Sequence, residues 1–91
     1  MMYEFPAIIS YDKNDGVYYV DFPDISGCFT DGLTLRETLD NAEDALKTML
    51  ECMEFQNNVF PQPSNVNSLS LGVGQIVALV STEIDARKIA V

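Results

Sequence analysis

Histidine and tryptophan are absent from this 91-residue chain, and cysteine appears only twice. Without histidine a Ser or Cys nucleophile lacks its usual general base, leaving carboxylates, Tyr and a few Lys for proton transfer. The common zinc spacings are excluded as well. Cys28 and Cys52 fall on different expected elements, and in a reducing compartment both read as buried structural thiols rather than a disulfide. Basic residues are scarce: five Lys and Arg stand against fourteen Asp and Glu, for a formal net charge of -9. That balance repels nucleic-acid phosphates and anionic lipid and favours a basic partner. No apolar run approaches the ~20 residues of a membrane span, and no basic-then-apolar leader opens the chain, so a cytoplasmic location is expected. A Gly-rich phosphate loop and internal repeats are missing too, and neither a cofactor nor a metal is expected.

What is present fits one domain over residues 1–91, with a core over about 3–80 and a tail, 81–91, readable as strand extension or helical start. Glu4 to Tyr11 alternates, with Phe5, Ala7, Ile9 and Tyr11 on one face, and Pro6 marks part of this first strand as an edge or as lying outside the ladder. The polar run Asp12 to Gly16 ends in Asp-Gly and predicts a hairpin. In the second strand, Tyr18, Val20 and Phe22 are expected to face the core, opposite Val17, Tyr19 and Asp21. Pro23 closes that strand, and Asp24, Ser26 and Gly27 supply turn chemistry. Cys28, Phe29 and Thr30 leave room for a very short third strand before Asp31 and Gly32 end it.

From Leu35 the apolar period changes to three and four: Leu35, Leu39, Ala42, Leu46, Met49, Leu50 and Met53 form one stripe of an amphipathic helix. Thr34 and Glu37 make a capping box at its start. The other face is acidic. A helix end is expected between Phe55 and Asn58, followed by an extended, pinned connection to Leu71. The apolar run Gln75 to Val80 reads as a returning fourth strand, covered on both sides or central in the sheet. The expectation is α+β in two layers, β-β-β-α-β, with the helical crossover letting the third and fourth strands lie parallel. An exposed edge and a small core suggest a homodimer, by sheet extension or helix packing.

Several ordered segments go further: Phe5-Pro6-Ala7-Ile8, the run Phe22-Pro23-Asp24-Ile25-Ser26-Gly27-Cys28-Phe29-Thr30-Asp31-Gly32, the helix signature from Thr34 to Leu46, and Phe60-Pro61-Gln62-Pro63-Ser64. Together they resemble the HicB family of antitoxins over roughly Tyr3 to Val80. The resemblance implies a partial ribonuclease-H-like fold that binds and silences a small basic mRNA-cleaving toxin of the HicA type encoded beside it, with no enzyme activity of its own. Family members often add a C-terminal DNA-binding domain; here the chain ends at Val91, just after Arg87-Lys88, so direct nucleic-acid binding is not expected. Toxin contacts are expected from Asp24 and Asp31 at the corners, from Glu37, Asp40, Glu43, Asp44 and Glu51 on the helix, and from Tyr19 and Phe29 as anchors. Two rival readings are a standalone protein-interaction module and a metal-dependent nuclease of ribonuclease-H type. The nuclease would draw on Asp12, Asp15, Asp21, Asp24 and Asp31.

Overall fold

The computed structural model describes residues 1–84. Its elements are strand β1 (Met2–Asp12), β2 (Val17–Asp21), β3 (Phe29–Gly32), helix α1 (Leu35–Phe55), a short 3-10 turn (Val66–Ser68) and β4 (Gln75–Glu83). The four strands form one antiparallel sheet in the order β3-β2-β1-β4, and α1 packs on one face of it. The α+β, two-layer architecture and the element order agree with the sequence reading.

The β1–β2 hairpin is closed by its own polar residues. The Asp12 carboxylate accepts from the backbone N–H of Asn14 at 2.9 Å, and Gly16, at φ 66, donates to the Asp12 carbonyl. Phe5, Ala7, Ile9, Val20 and Phe22 are buried beneath α1 as their alternation predicts, and Tyr18 packs partly against them. Tyr11 keeps the face of Phe5, Ala7 and Ile9, opposite Tyr18, but is not covered there. It lies exposed at the hairpin end and stacks instead on Tyr18, with ring centroids 4.6 Å apart.

Helix α1 begins where the capping residues place it: the Thr34 hydroxyl accepts from the Glu37 N–H at 3.1 Å. Ala42, Leu46 and Leu50 are fully buried, with Leu39, Met49 and Met53 packed beside them. Leu35, counted in the apolar stripe, is exposed, and Thr38 takes the inward position. Its hydroxyl donates to the Thr34 carbonyl at 2.6 Å, so this polar side chain is buried with its hydrogen bond made. At the other end Asn57, at φ 59, and Asn58 donate to the carbonyls of Glu54 and Met53, the paired bonds of a Schellman stop. Thr34→Ala is expected to destabilise the fold by about 1 kcal/mol, lowering the thermal midpoint by roughly 4–8 °C. An unchanged melt would remove the cap from the stability of the domain.

Three expectations are corrected. Asp31 and Gly32 belong to β3 rather than ending it. The fourth strand is neither central nor covered on both sides: β4 is an edge strand, with Ile76 53% and Leu79 55% exposed. Nor are β3 and β4 parallel. They occupy opposite edges and run in opposite senses, because the long connection after α1 carries the chain back to the hairpin end of β1, where Gln75 enters opposite Ser10. The strand then continues through Glu83, so residues 81–83 are strand extension, while the rest of the expected tail, 85–91, lies outside the described residues.

Pro6 sits in this ladder without loss. Met1 and Ile84 exchange backbone hydrogen bonds, and the unbroken register alternates from there, which makes Pro6 and Leu79 a non-hydrogen-bonded pair. Pairing with β2 begins only at Ile8, so the missing N–H of Pro6 is wanted on neither side.

Candidate functional site

The corner between β2 and β3 is a closed loop: Phe22 N–H donates to Cys28, Cys28 to Ile25 and Ile25 to Phe22, each to the backbone carbonyl. Phe22, Ile25 and Cys28 are thereby drawn into the core, and Phe29, next in the chain, is turned outward and left 69% exposed. Burial, then the nearby Asp21 carboxylate, push the Cys28 thiol up to about 11. Cys52 corrects the expectation of two buried thiols, since Met49, Leu50 and Met53 occupy the inward positions of that turn and leave it exposed. With iodoacetamide at pH 8 the native chain should therefore take up one equivalent, at Cys52. Cys28 should react only after denaturant is added; two native equivalents by mass spectrometry would contradict this burial.

The nine residues singled out from the sequence fall into three places. On the sheet face opposite α1, Tyr19 stands across from Asp31, and Phe29 across from Asp21. Tyr19, Asp21 and Phe29, with Ile8, Ser10 and Gln75, line a shallow depression of about 290 Å³. Partial burial, followed by the carboxylates of Asp15, Asp12 and Asp31, raises the Tyr19 phenol above its ordinary value. On the other layer, Glu37, Asp40, Glu43 and Asp44 project from the exposed side of α1, and Glu51 is half-buried. Asp24 is apart from both. Its carboxylate accepts from the N–H of Ser64 at 2.8 Å and from the Ser64 hydroxyl, so it pins the connection after α1 to the β2–β3 corner.

Phe29 joins the two acidic surfaces. Besides the sheet depression, it lines a groove of about 440 Å³ between β3 and α1, with Thr30, Asp44, Ala45 and Met49. Asp21, Ile8 and Met49 were not among the residues expected at a binding surface. Asp21 carried a readable signal, since pairing it with Phe29 follows once the short third strand is set against the second. The carboxylates invoked for a nuclease are dispersed: Asp12 serves the hairpin, Asp24 the Ser64 clasp, and among the described residues no three His, Cys, Asp or Glu side chains gather as a metal-holding group. No helix among those residues is long and apolar enough to cross a membrane.

Residues 5–90 match a family described as the HicB_like antitoxin of bacterial toxin-antitoxin system. The chain belongs to the HicB-like antitoxin family. Among HicB relatives, Antitoxin HicB 1 of Photorhabdus laumondii is 34% identical over 77 residues, 80% of this chain and 50% of the relative, so the chain spans about half the length of that protein. Among solved structures, a toxin-antitoxin complex from Streptococcus pneumoniae superposes with a TM-score of 0.82 at 27% identity, covering 97% of this chain and 72% of the other. The N-terminal domain of the Burkholderia pseudomallei antitoxin HicB superposes at 0.76 with 30% identity, covering 90% of this chain and all of that domain. The HicB-like fold of this chain is thus the one just described, with the Phe29 ridge at its β3 edge.

Proposed function

We propose that this HicB-like chain neutralises a small, basic, mRNA-cleaving toxin of the HicA type by covering its RNA-binding surface, docking through the ridge around Phe29. The observation that carries the reading is one exposed aromatic at the meeting point of two acid-rimmed concavities in a chain of net charge -9. A protein that cleaves RNA presents cations to phosphates, and carboxylates in their place compete for the same surface. Tyr19 and Phe29 supply desolvated anchors, while Asp21, Asp31 and Asp44 flank them as charge partners. The acids farther along α1, Glu37, Asp40, Glu43 and Glu51, contribute to the long-range field. Asp24 contributes indirectly, by holding the corner that presents Phe29. The chain acts by binding, without chemistry of its own.

Stopped-flow association with the short basic protein encoded beside this chain tests the proposal. The association rate is expected to fall by about tenfold or more between 50 mM and 500 mM salt, with a smaller change in dissociation. Absence of binding would remove the antitoxin reading for this pair, and binding at a salt-independent rate would remove its electrostatic part.

A further inference from the structure

Sulfur is thinly spread in this chain, with two cysteines and four methionines in its sequence. Three of those side chains meet at one place. Cys28, from the corner before β3, and Met49 and Cys52, from α1, all line the groove of about 440 Å³ between these two elements. Met49 and Cys52 stand three positions apart, so they are neighbours on the same helix face. Cys28 is only 2% exposed, yet it still reaches the wall of this groove. Its backbone is held, because its N–H donates to the Ile25 carbonyl and its carbonyl accepts from Phe22. Cys52 lies on the surface and Met49 has three rotatable bonds, so the two helix side chains are the ones able to turn toward the fixed thiol.

We propose that Cys28, Cys52 and Met49 form a binding site for a soft monovalent metal ion, Cu(I), in the groove beside Phe29. Thiolate and thioether sulfurs are the donors that select Cu(I). Competing ions are poorly served here. Zinc in a closed site takes four nitrogen or sulfur ligands, and the chain has no histidine to complete a set begun by two thiols. Calcium and magnesium require several oxygen ligands, whereas Asp44 is the one carboxylate that lines the groove. The set also stands apart from any grouping of three His, Cys, Asp or Glu side chains, since its third member is a thioether.

On binding, the S–H bonds of Cys28 and Cys52 break, their protons pass to solvent and two S–Cu bonds form, while the Met49 sulfur donates a lone pair. Copper keeps its +1 state, so no oxidant or reductant is consumed. The ion supplies what the buried thiol lacks. Burial, then the Asp21 carboxylate, push the Cys28 thiol up to about 11, which disfavours a bare thiolate, and a cation bonded to the sulfur offsets that cost. Asp44 at the rim and the net charge of -9 attract the cation from solution.

Anaerobic titration of the full chain with Cu(I), buffered by the chelator bicinchoninate, tests the proposal. One Cu(I) per chain is expected by native mass spectrometry, with three sulfur neighbours by X-ray absorption and with Cys52 no longer open to iodoacetamide. Cys52→Ser changes a surface residue and should weaken binding by at least about a hundredfold, beyond the loss typical of a group that only supports a ligand. Met49→Leu keeps the side-chain volume; it should lower the sulfur count to two and weaken binding by about tenfold. Met53→Leu, packed from the same helix but outside the groove, should change neither. Failure to retain Cu(I) against the chelator would overturn the inference. So would Cu(I) bridging two chains through Cys52 alone, seen as half an equivalent per chain that persists in a Cys28→Ala variant with a native circular dichroism spectrum.

Discussion

Phe29→Ala is expected to weaken the complex with the toxin by about thirtyfold or more, the effect of removing a central aromatic anchor worth about 2 kcal/mol. Phe29 is free to do this because the loop that buries Phe22, Ile25 and Cys28 takes no stability from its ring. The variant should melt within a degree or two of the parent chain, so any loss in isothermal titration calorimetry reports the interface and not the fold. The loss should appear in dissociation, with association nearly unchanged. Glu37→Gln on α1 should show the reverse, a slower association and an almost unaltered dissociation rate. If Phe29→Ala changes affinity by less than twofold, the ridge is not the toxin-binding surface.

Gly32→Ala is expected to destabilise the domain by about 3 kcal/mol, the upper end of the range for overpacking. A Cβ at this position would stand 2.8 Å from the backbone nitrogen of Thr38 and 2.9 Å from its Cα, and would also meet its hydroxyl. The first two cannot swing aside. The methyl group would lever the start of α1 away from β3 and strain the Thr34–Thr38 hydrogen bonds that begin the helix. Urea unfolding measures the loss, and combining Gly32→Ala with Thr38→Ala separates its sources. Removing the hydroxyl should restore only a small part of the stability. Full recovery would place the clash on the side chain alone.

That glycine shows where the sequence was readable and where it was not. Asp31-Gly32 carries ordinary turn chemistry, and local reasoning ends a strand there; only the approach of α1 across the sheet reveals a strand residue that must lack a side chain. The period-two runs of β1 and β2, the capping residues at Thr34 and the double Asn stop depend on neighbours a few positions away, and these were legible. The placement of β4 was not. A short apolar run reads the same whether it lies in the middle of a sheet or along its edge, and the outcome depends on where a long connection delivers the chain. The proposed binding surface divides in the same way. Its residue types, acidic and aromatic, were visible, but the separation of Tyr19 and Asp31 from the acids of α1 required the two layers. The diversion of Asp24 to Ser64, forty positions away, required the fold of the connection.

The Met1–Ile84 pair has a kinetic meaning. It joins residues 83 positions apart, and the whole β1–β4 ladder is made of contacts of similarly long range. Closing so large a loop is the slow step in assembling a chain of this kind, whereas the β1–β2–β3 meander and α1 need only local closures. During synthesis the Phe29 ridge can therefore take shape while β1 still presents an open side, and the four-stranded sheet is completed only when β4 leaves the ribosome. The order of events built into the topology puts the β3 edge first and the β4 edge last.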